Sequence, residues 1–294
     1  MTEKVENILI LGAYGRLGKD LSLFLDKYHN VIRQGRNKDA QVYLPNLNVQ
    51  SLKQVLGEFK ITAIINLIAM TDVNDCENMA SNAFIANAII PQYIRVAVNQ
   101  SDTEIFVLHI STDQIYSGQD IHEEHHVNPC NVYGVSKLAG EQLINAPTNT
   151  CILRTNYFGF SRVNNRSSFL DWIVNSIKEN QEISIYQDVY FTPVGSKTLC
   201  SIILMIIDNR TSGTYNFGSN RSISKADFAK IVADAMSVLE PPFVLAEYPK
   251  NSSVNRPRNM SMNSERILAC LSIDSVNIER EVMHELQMLN RNNT

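Results

Sequence analysis

ILILGAYGRLG, residues 8–18, decides the fold. Ile8 to Leu11 form a short continuous apolar run, the pattern of a parallel strand buried on both faces. Gly12, Gly15 and Gly18 follow as G-x-x-G-x-x-G. One glycine serves a tight turn, a second lets the backbone approach a pyrophosphate, and a third lets a helix pack on the strand. Leu17, Leu21, Phe24 and Leu25 then recur at helical spacing. The start of such a helix offers free N–H groups and partial positive charge to phosphate. This strand–turn–helix context predicts a dinucleotide site at Gly12, Tyr14, Gly15, Arg16, Leu17 and Gly18.

Outward from this unit the pattern repeats. Strands are expected at 30–34 (NVIRQ), 61–69 (ITAIINLIA), 104–111 (EIFVLHIS) and 150–155 (TCILRT), with helical patterns between them. Strands alternating with helices predict an α/β fold, a Rossmann-type doubly wound parallel sheet. Pro91 predicts a kink or restart in the helix around ANAIIPQYIRVAV. FLDWIVNSIK and ISKADFAKIVADAM (223–236) read as further helices, the second capped by Ser224. Phe169 and Trp172, at helical spacing, are assigned to core or interface. SRVNNRSS (161–168) reads as a loop and the terminal NRNNT as frayed.

With 294 residues, 44% hydrophobic and 19% charged, the chain is expected to fold over most of its length, in two lobes or one domain with an appendage. A net charge of -4 without a basic block argues against nucleic acid as a partner. Cys76, Cys130, Cys151, Cys200 and Cys270 contain no C-x-x-C pair and read as buried thiols of a reducing compartment. The N-terminal apolar run is too short for a signal peptide, and LCSIILMII is too short to span a membrane. A cytoplasmic protein is expected. His122, His125 and His126, with Glu123 and Glu124, lack zinc spacing and read as a solvated loop, so no metal site is assigned.

The cofactor can be narrowed further. An acid at the end of the second strand would hold a ribose 2′-OH. Here the strand end reads RQGRNKD, with Arg33, Arg36 and Lys38 ahead of Asp39. Arg36 and Lys38 suit a 2′-phosphate, so NADP(H) is favoured over NAD(H).

NVYGVSKLAGE, residues 131–141, puts Tyr133 and Lys137 four residues apart, on one face of a helix. A free phenol has a pKa near 10, and a nearby ammonium favours the phenolate. HISTDQIY supplies Ser111 and Thr112 at a strand end, where doubly wound sheets bind ligands. Thr112, Tyr133 and Lys137 thus form a candidate catalytic set for carbonyl reduction, with hydride from a nicotinamide and a proton from Tyr133.

At this point the chain resembles the extended short-chain dehydrogenase/reductases, and within them the dTDP-4-dehydrorhamnose reductases. The stretches that carry the resemblance are ILILGAYGRLG, NLIAMTDVNDCEN, HISTDQIYSG, NPCNVYGVSKLAGE, ILRTNYFG, TPV (192–194), GTYNFG and RPRNMSMNSE. The resemblance implies reduction of the C4 keto group of a nucleotide-linked 4-keto-6-deoxyhexose, for deoxysugar and surface-glycan precursor synthesis. It implies Tyr133 as proton donor, Lys137 as its electrostatic partner and Thr112 beside the carbonyl. Ala69, Thr71 and Val73 match a cofactor-lining stretch, and Asn87 a helix position near the site. Asp113, Asn156, Tyr157 and Arg256 are the expected substrate-side residues, Asp113 either touching sugar hydroxyls or bracing its loop. Arg256 suits a diphosphate. Mg²⁺ could bridge substrate phosphates without a dedicated cage, and a homodimer is left open.

The implied architecture is a Rossmann domain, 1–155 plus about 191–218, and a smaller α/β C-terminal lobe, 156–190 plus 219–294, with the site in the crevice between them. The chain departs from the family at Asn74, Tyr157, DVYFTPV (188–194) and Asn216. Most of these positions are substrate-side or lobe-contact ones, so the reaction type is better marked than the sugar. Two alternatives remain: a redox-neutral epimerase or dehydratase of the same superfamily, with Asp113 as the acid, or a non-catalytic NADP-binding regulatory subunit like that of methionine adenosyltransferase.

Overall fold

The computed structural model describes residues 5–163, 167–249 and 251–292. They divide into two compact units: unit 1 comprises residues up to Thr112, Asn131–Arg154 and Cys200–Tyr215, and unit 2 comprises Asp113–Cys130, Thr155–Leu199 and Asn216 onward.

In unit 1 the chain begins with β1 (Asn7–Leu11), α1 (Arg16–Leu25), β2 (Asn30–Gly35), β3 (Val42–Tyr43), α2 (Val49–Glu58) and β4 (Ala63–Asn66). α3 (Val73–Asn78), α4 (Ala80–Phe84), a π-helical turn at Ile85–Ile89, α5 (Ile90–Asn99) and β5 (Phe106–Thr112) follow. α6 (Val132–Ile144) and β6 (Thr150–Thr155) come after the excursion into unit 2. The remaining elements are β7 (Tyr157–Phe158), α7 (Phe169–Glu179), β8 (Ile183–Tyr186), β9 (Tyr190–Phe191), β10 (Val194–Gly195), α8 (Ser196–Asn209), β11 (Gly213–Phe217), β12 (Ile223–Ser224), α9 (Lys225–Ala235), β13 (Phe243–Ala246), α10 (Glu265–Leu271) and α11 (Ile278–Asn292).

The seven-stranded sheet has the order β3-β2-β1-β4-β5-β6-β11. β1 pairs in parallel with both β2 and β4, Ile10 lying opposite Arg33 on one side and Ile65 on the other. The order therefore reverses at β1, which makes the carboxyl end of β1 a topological switch point where doubly wound sheets bind ligands. Ile8 to Leu11 are fully buried, as a strand covered on both faces requires. One core cluster joins Leu9, Leu11 and Ile64 to Leu52 and Leu56 of α2 and Ile94 of α5.

The sequence located β1, β2, β5 and β6 closely and overran β4, which ends at Asn66. It did not find β3, two residues long. Pro91 lies in the first turn of α5, where its missing N–H costs little, and the π-turn before it absorbs the irregularity. Asn164, Asn165 and Arg166 of the expected loop lie outside the described residues. The terminal NRNNT is not frayed throughout, because α11 runs to Asn292; residues 293–294 lie outside the described residues. Of the cysteines, expected to be buried, only Cys76, Cys151 and Cys200 are; Cys130 is half-buried and Cys270 is exposed. Among the described residues no helix is long and apolar enough to cross a membrane.

Unit 2 is built on α7 and α9, both opened by capping boxes in which Ser168 and Ser224 accept from Asp171 and Asp227 N–H. Phe228 of α9 is fully buried and packs against Phe158, Phe169 and Phe191. Glu281 and Glu285 of α11 are buried, yet neither lacks donors. Glu281 accepts from Gly195 N–H and the Thr198 hydroxyl, each at 2.8 Å, and Glu285 from the Ser196 hydroxyl at 2.8 Å. Two carboxylates thus cap the start of α8, where the helix dipole favours negative charge.

Candidate active site

The glycine turn of unit 1 is shaped for a phosphate. Gly12 has φ +80°, a conformation that disfavours side chains, and its N–H is held by the Gln34 side-chain oxygen at 3.0 Å. A methyl group at Gly18 would lie 2.4 Å from the Gly12 carbonyl oxygen, so only glycine lets α1 pack this closely on the turn. Gly15 caps α1 with no side-chain acceptor, and no acid occupies the first turn. The helix start is thereby left with unsatisfied donors that an anion can take. These features fit a dinucleotide.

The other expected cofactor residues differ in what they do. The Leu17 side chain is core, 5% exposed, so what it offers a phosphate is its backbone N–H at the start of α1. Tyr14 receives a hydrogen bond from Gln41 N–H at 3.0 Å and lies close over Gly35, so it braces the β2–β3 turn. Arg33 pairs with Asp26, whereas Arg36 and Lys38 are exposed on the turn. Gln34, which the sequence reading passed over, is buried and ties the glycine turn to Leu44. Ala69 and Thr71 keep solvent access and Val73 is buried in α3.

Helix α6 carries the second part. Asn131 caps it by accepting from Gly134 N–H at 2.8 Å, and Glu77 accepts from Val132 N–H at 2.8 Å. Tyr133, Lys137 and Glu141 follow at four-residue intervals on its buried face. A methyl group at Gly140 would fall 1.9 Å from the Asn87 carbonyl oxygen, so this glycine lets α6 lie against the π-turn. Asn87 itself donates to Ser136 Oγ at 2.9 Å and to the Met70 carbonyl at 3.0 Å, joining α6 to the segment after β4. Lys137 donates to the Ile110 carbonyl at 2.7 Å. Burial lowers its pKa to about 8, with Glu141 opposing. Arg154 grips Glu141 through Nε and Nη2, the latter at 2.6 Å, and Ser111 donates to the same carboxylate. Thr112, Tyr133 and Lys137 are all buried, each less than a tenth exposed.

Unit 2 holds a cavity of about 250 Å³ lined by Gln114, Asn156, Phe169, Trp172, Tyr186 and Tyr248, with Lys225 and Arg256 as its cations. Phe169 and Trp172 therefore do more than fill core: both wall the cavity. Of the two arginines in RPR, Arg258 is occupied by Asp188 and by the Tyr248 carbonyl, and Arg256 faces the cavity. Asp113 is buried and accepts from Asn156 Nδ2 at 2.5 Å, a contact that braces its loop. Tyr157 lies in β7, only partly exposed. Lys225 escaped the sequence reading, although a lysine directly behind a serine cap was the available signal. Its ammonium lies 3.3 Å from the Phe191 ring centroid, and burial brings its pKa down to about 8 against the attraction of Asp113.

The histidine loop is not wholly solvated. His122 is buried, stacks on Tyr116 at 4.9 Å and lies 2.9 Å through Nδ1 from the Ser261 carbonyl. Asn216 accepts from the Tyr116 hydroxyl at 2.7 Å and donates to the His122 carbonyl. His125 and His126 are exposed. Among the described residues no group of three or more His, Cys, Asp and Glu is arranged to hold a metal ion.

Comparison with known proteins gives a consistent picture. Residues 6–291 match the family described as the RmlD substrate binding domain. The chain is 28% identical over 279 residues to a dTDP-4-dehydrorhamnose reductase of Salmonella typhimurium, covering 88% of this chain and 90% of that protein. It is also 28% identical to the Aggregatibacter actinomycetemcomitans protein of the same name, covering 93% and 96%. In fold it is similar to a crystal structure of the Bacillus anthracis dTDP-4-dehydrorhamnose reductase in complex with NADP, with a TM-score of 0.84, 24% identity and coverage of 97% and 100%.

Proposed function

The chain belongs to the RmlD substrate binding domain family, and we propose that it is an NADPH-dependent oxidoreductase that reduces the C4 keto group of a nucleotide-linked 4-keto-6-deoxyhexose in deoxysugar synthesis. One observation carries the mechanism: Tyr133 and Lys137 are buried together on one face of α6, in the same unit as the glycine turn and the Thr112 strand end. The glycine turn and the α1 start would hold the pyrophosphate, with Arg36 and Lys38 available to a 2′-phosphate. When bound, the nicotinamide supplies the hydride that goes to the carbonyl carbon.

The chain's own residues manage the proton. Tyr133 gives its phenolic proton to the developing alkoxide, and Thr112 hydrogen-bonds the same oxygen. Lys137, as an ammonium, stabilises the phenolate left behind. In unit 2 the aromatic cavity suits a base and sugar, and Lys225 and Arg256 suit the diphosphate. The engagement of Asp113 with Asn156 favours a bracing role for both over elimination chemistry.

Loss of NADPH absorbance tests this reading, with purified protein and dTDP-, GDP- and UDP-linked 4-keto-6-deoxyhexoses. Oxidation with the dTDP-linked compound is expected. NADPH binding without oxidation by any of them would overturn the reductase reading. The cavity adds a finer expectation. Lys225→Met should raise KM for the nucleotide sugar about tenfold or more, the worth of a charge-assisted hydrogen bond, with kcat little changed. Lys225 is a cation below about pH 8 and loses its charge above it. KM in the native protein should therefore rise with pH through that value, and the Met variant should lose this contribution. An unchanged KM would remove Lys225 from the substrate site.

A further inference from the structure

Beneath Lys137 lie two buried polar side chains that the proposed chemistry does not use. Asn66 closes β4, His109 lies in β5, and they are register partners across the sheet. Both are fully buried. The Asn66 amide has one orientation that satisfies its neighbours: Oδ1 accepts from Ile68 N–H at 3.1 Å. Nδ2 then faces His109 Nδ1 at 3.0 Å and must donate to it. A ring nitrogen that accepts carries no hydrogen. Burial, followed by the charge of Lys137, holds His109 well below the usual imidazole range, so the ring is neutral. Its single hydrogen is therefore on Nε2, which lies 3.4 Å from Lys137 Nζ.

We propose that Asn66 and His109 are a positioning pair for Lys137, in which the amide locks the imidazole tautomer so that an N–H rather than a lone pair faces the lysine. The role of Lys137 that this serves rests on the reductase reading above. An ammonium has three donors, and the Ile110 carbonyl takes one. The imidazole is the nearest candidate for a second, and this tautomer cannot accept it. Two lysine donors are thus kept for the Tyr133 oxygen and for the ribose of a bound dinucleotide. The same N–H dipole opposes the ammonium, adding to burial. The groups against the lysine are His109 from β5 and Glu141 from α6, with Tyr133 one turn before it on the same buried face of α6. Arg154 of β6 and Ser111 of β5 draw on the same Glu141 carboxylate.

Two measurements test the pair. Imidazole ¹⁵N shifts of the native protein report which nitrogen of His109 carries the proton. Nε2–H is expected, and Nδ1–H would overturn the proposal without any variant. The second is the NADPH dissociation constant followed by fluorescence from about pH 6 to about pH 10. Native protein should bind more weakly as Lys137 loses its charge near pH 8. Asn66→Asp keeps an acceptor for Ile68 N–H but turns the donor to Nδ1 into an acceptor, so the Nε2 lone pair swings to the lysine. The break should move upward by about one pH unit. A folded Asn66→Asp protein whose break stays at the native pH shows a packing role only and sinks the proposal. Native protein that binds no NADPH at any pH would instead overturn the dinucleotide reading.

Discussion

Turnover by a Tyr133→Phe protein should fall about 10²- to 10⁴-fold, the usual worth of a positioned acid, while NADPH affinity stays close to native. Phenylalanine keeps the ring that fills the buried face of α6 and removes only the hydroxyl. Packing and the Asn131 cap are untouched, so a loss of rate without a loss of binding isolates the proton transfer. Steady-state kinetics beside a fluorescence titration of NADPH would separate the two. Native-like turnover would show that the proton comes from elsewhere and would remove the chemical reason for the Tyr133–Lys137 pairing.

Arg154→Met should destabilise the protein by about 3–5 kcal/mol, because it leaves the Glu141 carboxylate buried without its cation. Arg154 and Glu141 are 4% and 1% exposed as side chains, so water cannot replace the lost partner. That loss is a large part of the roughly 5–15 kcal/mol that holds a typical domain together. Replacing both residues, as Arg154→Met with Glu141→Leu, removes the stranded charge and should recover much of the deficit. Urea denaturation of the three proteins checks the pair. A single variant as stable as native would mean that Arg154 is not what holds the buried Glu141 carboxylate. Ser111 donates to the same carboxylate and immediately precedes Thr112, so the surviving folded fraction should also turn over more slowly.

What the sequence made legible follows from periodicity and spacing. β1, α1 and the glycines could be read because a buried strand and a phosphate turn restrict residue type at nearly every position. That Tyr133 and Lys137 share a helix face, and that Thr112 ends a strand, could be read because helix spacing and the close of an apolar run fix those placements. The cavity could not. Lys225, Tyr186 and Tyr248 come from separate segments that only the folded chain assembles, and each taken singly is an ordinary surface or core residue. His122 misled for the related reason that a cluster of histidines and acids looks solvated. Its burial depends on Tyr116, Asn216 and Ser261, whose approach no local pattern announces. Gln34 and Leu17 show the limit at finer grain, since a motif names a turn without saying which of its side chains face outward.

The interleaving of the two units bears on how the protein comes off the ribosome. Unit 1 is complete only when Cys200–Tyr215 has been made, because β11 is the outer neighbour of β6. Until then β6, fully buried in the finished molecule, is an edge strand with unpaired N–H and carbonyl groups. A nascent or clipped chain ending near residue 160 would present that edge, TCILRT, to any other strand within reach. For this protein the dangerous interval for misassembly falls in the middle of synthesis, when most of the nucleotide-binding sheet already exists and its last strand does not.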